Sequence, residues 1–223
     1  MKRLLLVLIA TGALACCCTA TPQRLIIDTD MSSDCDDVGA LCLAHALADN
    51  GEAEIVAVLH NTGLNTGIGA VASINEYYGR PDIPLGAYKG KYDADMRGWP
   101  NRSYVDDLVA HSAAKIKNYS QVPDAVDTYR SVLAAAPPRS VVISSIGFTN
   151  NLEALLRSGP DRFSSLSGPA LLASRVKSVA WMGGRYPTSH SPLPGGGTAP
   201  NGSWAPGQPE HNFGFRNISH STA

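Results

Sequence analysis

LIIDTDMSSDCDDVGAL, residues 25–41, places five aspartates (Asp28, Asp30, Asp34, Asp36 and Asp37) within ten residues, directly after an apolar run. The run RLIID (24–28) has the length and β-branched content of a buried strand. DDVGALCLAHALAD (36–49) reads as a helix opened by carboxylates, which the positive end of a helix dipole favours. Like charges at this density repel one another. A fold that gathers them needs a compensating cation or shifted pKa values.

Working outward, the pattern of strand, loop and helix repeats. EIVAVLH (54–60), IPLGAY (83–88), SVVISSIG (140–147) and VKSVAWM (176–182) read as further strands, apolar throughout. Between them, IGAVASINEYYG (68–79) and TNNLEALLRSG (149–159) read as helices, and 104–136 as a helical stretch in two pieces broken near Pro123. Alternating elements of this kind predict an α/β fold: an open, mainly parallel, Rossmann-like sheet with helices on both faces. Ligands of such sheets bind outside the carboxyl ends of the strands. The polar clusters fall there: the aspartates after the first strand, His60-Asn61 after the second, Thr149-Asn150 after the fourth.

Composition narrows the class. The chain has 223 residues, 44% hydrophobic and 17% charged, with a formal net charge of −1, which suits one domain of ordinary core size. No basic block or stripe marks a nucleic-acid partner. Lys2 and Arg3 precede LLLVLIATGALA (4–15), too short to span a bilayer comfortably, so residues 1–20 are expected to be a signal peptide and 21–223 the domain. Export to a secreted or extracytoplasmic location follows, with a lipid anchor at Cys16 as the lesser alternative. Cys35 and Cys42 lie too close for a disulfide framework, and Cys42 is expected as a buried apolar filler. Four N-x-[ST] sequons occur, at Asn101, Asn118, Asn201 and Asn217. Residues 187–209 hold six prolines and five glycines and form no regular element; a lid over the site and an unstructured insertion are both open.

The aspartates admit three readings. One is a solvated loop ahead of a helix N-terminus. A second is the Asp-x-Asp of haloacid-dehalogenase phosphatases, with Asp28 as nucleophile and Asp30 as acid, but no second acidic pair stands at a later strand end. The third is a calcium site, since closely spaced carboxylates with a backbone carbonyl suit Ca²⁺ at six to eight oxygens.

IIDTDMSSDCDDVGAL resembles the Asp-rich signature of the inosine-uridine-preferring nucleoside hydrolases. The resemblance continues, in the family's order, through HN (60–61), YYGRPDIPLG (77–86), IGFTNNL (146–152), VAWMGG (179–184) and EHNF (210–213). It implies Ca²⁺-dependent hydrolysis of the N-glycosidic bond of ribonucleosides, in purine or pyrimidine salvage, with a homo-oligomer as one implied assembly. It makes Asp30 both a calcium ligand and the general base. It makes Asp37 a bidentate ligand and gives the Thr149 carbonyl to the metal. Asp36, Asn61, Asn201, Glu210 and Asn212 become sugar contacts, and Asp28 a residue behind the ligands. Because the spacing from Asp30 to the Asp-Asp pair exceeds the commonest family form, Asp34 is an alternative ligand.

The resemblance also sets a limit. The family carries a later His-Asp pair, whereas this sequence continues from EHNF as GFRNISHSTA, where serine and not aspartate follows His220. The expectation is a shortened member with weak hydrolysis, or one that only binds ribosides.

Overall fold

The computed structural model describes residues 21–32, 35–90, 104–183 and 212. β1 (Gln23–Thr29), β2 (Ala53–His60), β3 (Leu85–Ala87), β4 (Val141–Ser145) and β5 (Val176–Trp181) form one sheet in the order β3-β2-β1-β4-β5. Every neighbouring pair is parallel. The connecting helices among the described residues are α1 (Asp36–Asp49), α2 (Gly67–Tyr77), α3 (Tyr104–His111), α4 (Ala125–Ala135), α5 (Asn150–Arg157) and α6 (Gly168–Arg175).

Alternation along β1 explains the layering. Ile27 points to an apolar cluster with Leu41 and Ala44 of α1, Ile68 and Val71 of α2, and Val105 of α3. Ile26 points to the other face, against Tyr129 and Leu133 of α4, Leu155 of α5 and Leu171 of α6. A strand buried on both faces has no polar side, which is why its sequence is a continuous apolar run. Asp28 shares the parity of Ile26 and therefore enters the α4–α5–α6 face at its upper rim.

The break near Pro123 has a local cause. Asn118 caps a short 3-10 turn at Tyr119–Gln121, accepting from Ser120 N at 3.0 Å. After Pro123, Asp124 caps α4 by accepting from Val126 N at 2.8 Å. Two expectations need correcting. β5 is not covered on both faces: Lys177, Ser178, Ala180 and Trp181 are exposed, because among the described residues only β4 flanks it. Cys42 is half-buried rather than a core filler, since it lines the cavity between α1, α2 and α3. No described helix is long and apolar enough to cross a membrane.

The strand order holds one reversal. From β1 the chain steps outward to β2 and β3, then returns to lay β4 on the opposite flank of β1. The carboxyl ends of β1 and β4 are therefore the topological switch point, where the loops diverge and leave a crevice.

Candidate functional site

Four backbone hydrogen bonds stitch the strand ends together just where the loops begin. Asn61 N donates to Thr29 O (2.9 Å), Ile146 N to Asp28 O (2.8 Å), Tyr88 N to His60 O (2.8 Å) and Met182 N to Ser145 O (2.9 Å). The loop after β4 lies tight on β1. A Cβ added to Gly147 would stand 2.6 Å from Asp30 N and 2.8 Å from Asn61 Nδ2, so only glycine allows this approach.

Asp28 is the anchor beneath the crevice. It is fully buried, and its carboxylate accepts three hydrogen bonds. Tyr129 Oη donates to Oδ2 at 2.8 Å, while Asn61 Nδ2 (3.0 Å) and Asn151 Nδ2 (2.9 Å) donate to Oδ1. Burial pushes its pKa up to about 7, against the lowering effect of Tyr129, Asn151 and Asn61. This arrangement removes the phosphatase reading: a nucleophile must reach solvent and substrate, and Asp28 is sealed under its own donors.

The same donors leave a surplus of acceptors. Asn61 gives its NH₂ to Asp28, Asn151 to Asp28 and to His60 O (3.3 Å), and Asn150 to Asn61 O (2.8 Å). The amide oxygens of all three, and Ser145 Oγ, are buried without a hydrogen-bond partner among the described residues. Buried polar atoms are ordinarily satisfied, so four orphans at one switch point call for a ligand, water or ion. His60 is held neutral beside them. It is fully buried, burial lowers its pKa to about 4, and Nε2 donates to Met31 O at 3.1 Å. A Cβ on Gly67 would fall 2.1 Å from that Nε2, so the imidazole owes its place to glycine.

On the α1 face, Thr29 Oγ1 donates to Asp37 Oδ1 and accepts from Met31 N at 3.1 Å. The hook ties the buried first turn of α1 to β1. Asp36, its neighbour, points outward and is exposed; Asp30 is half-buried just past β1. Thr149 is buried at the start of α5, and its carbonyl accepts from Glu153 N at 2.8 Å. Asn212 is buried, and its Nδ2 donates to Met182 O at 2.9 Å, which places this residue at the end of β5. Asp28, Asp30, Asp37, Asn61, Thr149 and Asn212 thus all lie at one edge of the sheet. Asp34, Asn201 and Glu210 lie outside the described residues, as do the expected signal peptide and the 187–209 loop.

Sequence reasoning passed over Tyr129, Asn151 and Ser145. Tyr129 sits among apolar residues at helical spacing and reads as core; only its hydroxyl, reaching 101 residues back to Asp28, betrays more. A cavity of ≈ 700 Å³ between α1, α2 and α3 is walled by side chains such as Ile74, Tyr77 and Leu108. It holds none of the strand-end groups.

No family model matches the chain, and no curated protein does. Solved structures do. The type III effector XopQ, in complex with adenosine diphosphate ribose, is 19% identical with a TM-score of 0.58, over 92% of this chain and 50% of its own. The effector protein XOO4466 is 19% identical with a TM-score of 0.56, over 74% of this chain and 45% of its own. A plant nucleoside hydrolase, PpNRh1, is 20% identical with a TM-score of 0.47, over 74% and 48%. At this identity the two effectors establish the α/β fold alone. The chain spans about half the length of each of these proteins.

Proposed function

We propose that this chain is a nucleoside hydrolase-like protein that binds the ribose of a nucleoside at the β1/β4 switch point and cleaves its N-glycosidic bond with calcium. The observation that carries the reading is the buried acceptor cluster, Asn61, Asn150 and Asn151, at the strand ends where Asp30 meets Gly147 and Asn61, with Asp37 at the start of α1. Sugar hydroxyls are donors, and oriented amide oxygens suit them. The resemblance of the Asp-rich signature and the adenosine diphosphate ribose held by XopQ support the same ligand class.

In this reading Asp30 takes the proton of the attacking water through its carboxylate, as general base. Asp36, Asn61 and Asn212 contact the sugar, with Glu210 and Asn201. Their oxygens favour the positive charge that develops on the ribose ring as the base departs. Asp30, Asp37 and the Thr149 carbonyl would hold the calcium, with Asp34 as the alternative. Their hard oxygens fit that ion. Among the described residues no group of three His, Cys, Asp or Glu side chains is gathered as a metal cluster, so neutral oxygens and water would complete the shell. Calcium bound there would orient and polarise the water. Export and a role in salvage belong to the same proposal.

The second reading is riboside binding without turnover. It is favoured by the contrast between fixed, buried acceptors and an Asp36 that faces solvent. Ribose release from inosine and uridine, with calcium and with chelator, separates the two. Calcium-dependent release supports the hydrolase; binding without release supports the second; neither removes both. Thermal melts of the protein and of Asp37→Ala, with and without calcium, test the metal separately. Identical curves count against it.

A further inference from the structure

We propose that Tyr129 is a positioning residue: its hydroxyl fixes the Asp28 carboxylate, and through it the amide orientation of Asn61 and Asn151, so that both present oxygen to a ligand. The proposal deepens the riboside reading and rests on it for the ligand's identity.

The argument is one of donors and acceptors. A carboxylate accepts only, and Asp28 spends Oδ1 on two amide NH₂ groups, from Asn61 at 3.0 Å and Asn151 at 2.9 Å. An amide whose NH₂ is held in this way must turn its oxygen the other way. Without that constraint each amide can flip by 180° and offer a donor in place of an acceptor. Asp28 is therefore the element that decides the polarity of the site, and it needs its own fixed orientation. Tyr129 supplies it. The phenol rises from the fully buried floor of α4, between Ala125 and Leu133, and donates to Oδ2 at 2.8 Å. Burial and the neighbouring carboxylate push its pKa well above the ordinary tyrosine value, so it stays protonated and remains a donor. The phenol ties Asp28 to α4, whereas the two amides come from the end of β2 and from the first turn of α5.

Asn150 supplies an internal control. Its NH₂ is held by the Asn61 backbone carbonyl at 2.8 Å and owes nothing to the carboxylate. Removing the tyrosine hydroxyl should release Asn61 most, Asn151 less because its NH₂ also reaches His60 O at 3.3 Å, and leave Asn150 as it was.

Tyr129→Phe keeps the ring that fills the core. Side-chain amide signals of the three asparagines, assigned in ¹⁵N-labelled protein by single Asn→Asp variants, give the first readout. The Asn61 and Asn151 NH₂ signals are expected to shift and lose exchange protection, with Asn150 and the α4 backbone unchanged. The second readout is affinity for inosine and for its 2′- and 3′-deoxy forms. Inosine should weaken about tenfold, and the deoxy forms less, because a lost hydroxyl has no acceptor to miss. Leu133→Ala, in the same helix and cluster, controls for loosened packing and should leave the ratio between inosine and the deoxy forms as in the parent protein. If Tyr129→Phe does not fold, Asp28→Asn must move the same two signals. Unmoved Asn61 and Asn151 signals overturn the proposal, and so does a general change that includes Asn150 and α4. If the parent protein binds no riboside, the functional reading fails, and the amide signals alone still decide the positioning role.

Discussion

Two buried ionisable groups meet at α4, Arg130 on the helix itself and Asp28 on β1 beneath Tyr129, and they are finished in opposite ways. Arg130 ion-pairs through Nε with Asp161 at 2.7 Å. Its terminal nitrogens donate to Ser158 Oγ, Asp161 Oδ1, Ser164 O and Leu166 O, all within 3.1 Å. That network pins the loop after α5; both terminal nitrogens are hydrogen-bonded, while Nε meets Asp161 as an ion pair outside hydrogen-bond geometry. Asp28, held by the adjacent residue Tyr129, is also satisfied, but the two amides that help satisfy it keep buried oxygens without a hydrogen-bond partner among the described residues. A closed network is a structural rivet. One that ends in orphan acceptors is what the proposed riboside site would use.

The sharpest way to break this comparison is to cut the rivet. Arg130→Ala should cost about 3 kcal/mol, the lower end for breaking a buried pair, because Asp161 keeps some access to water. A denaturant melt showing less than about 1 kcal/mol would mean the network is ornamental.

Next in size is Gly147→Ala, which pushes a methyl into the backbone nitrogen of Asp30. Overpacking typically costs about 1–3 kcal/mol. The larger consequence expected is loss of riboside binding, measured by titration with inosine. Unchanged affinity would show that the β4 loop does not shape the crevice.

The third outcome is a pH slope in calcium-free protein. The Asp28 pKa is raised to about 7, so folding favours its protonated form, and its contribution declines as pH rises from about 4 to 7. The His60 pKa is lowered to about 4, so its contribution declines as pH falls from 6.5 towards 4. The two slopes oppose one another across the shared window. Asp28→Asn removes one and should unmask the other, making stability fall with acid by roughly 1.4 kcal/mol per pH unit more than in the parent. Parallel melting profiles of the two proteins from pH 4.5 to 6.5 would refute this.

The smallest effect belongs to Asp36→Asn. An exposed carboxylate in the first turn of a helix is worth about 0.3–1 kcal/mol. Asp37→Asn, which breaks the buried hook to Thr29, should cost more. Equal losses would place both residues in solvent.

The sheet was legible because doubly covered parallel strands announce themselves as apolar runs. α1 matched to the residue because its carboxylates and its apolar stretch mark both ends. α6 was not foreseen: SGPALLASR is a single short segment behind a proline, too brief for periodicity to speak. The placement of Asn61, Asp37 and Thr149 at one edge follows from strand ends alone. The roles of Tyr129 and Asn151 did not, because their meaning lies in bonds spanning 101 and 123 residues, which no local window contains.

Those long spans also bear on how the molecule assembles. β1, α1, β2, α2 and β3 pair through near neighbours in the chain, while β4 must return from more than a hundred residues away to pair with β1. Contacts so distant are slow to form. The acceptors contributed by Asn150 and Asn151 come into register with Asp28 only when β4 and α5 have docked. On the proposed riboside reading, a nascent chain ending before β4 is blind to ligand however well its first half has folded. Added during refolding, a riboside would act as a latch on the last step, slowing its reversal rather than hastening what precedes it.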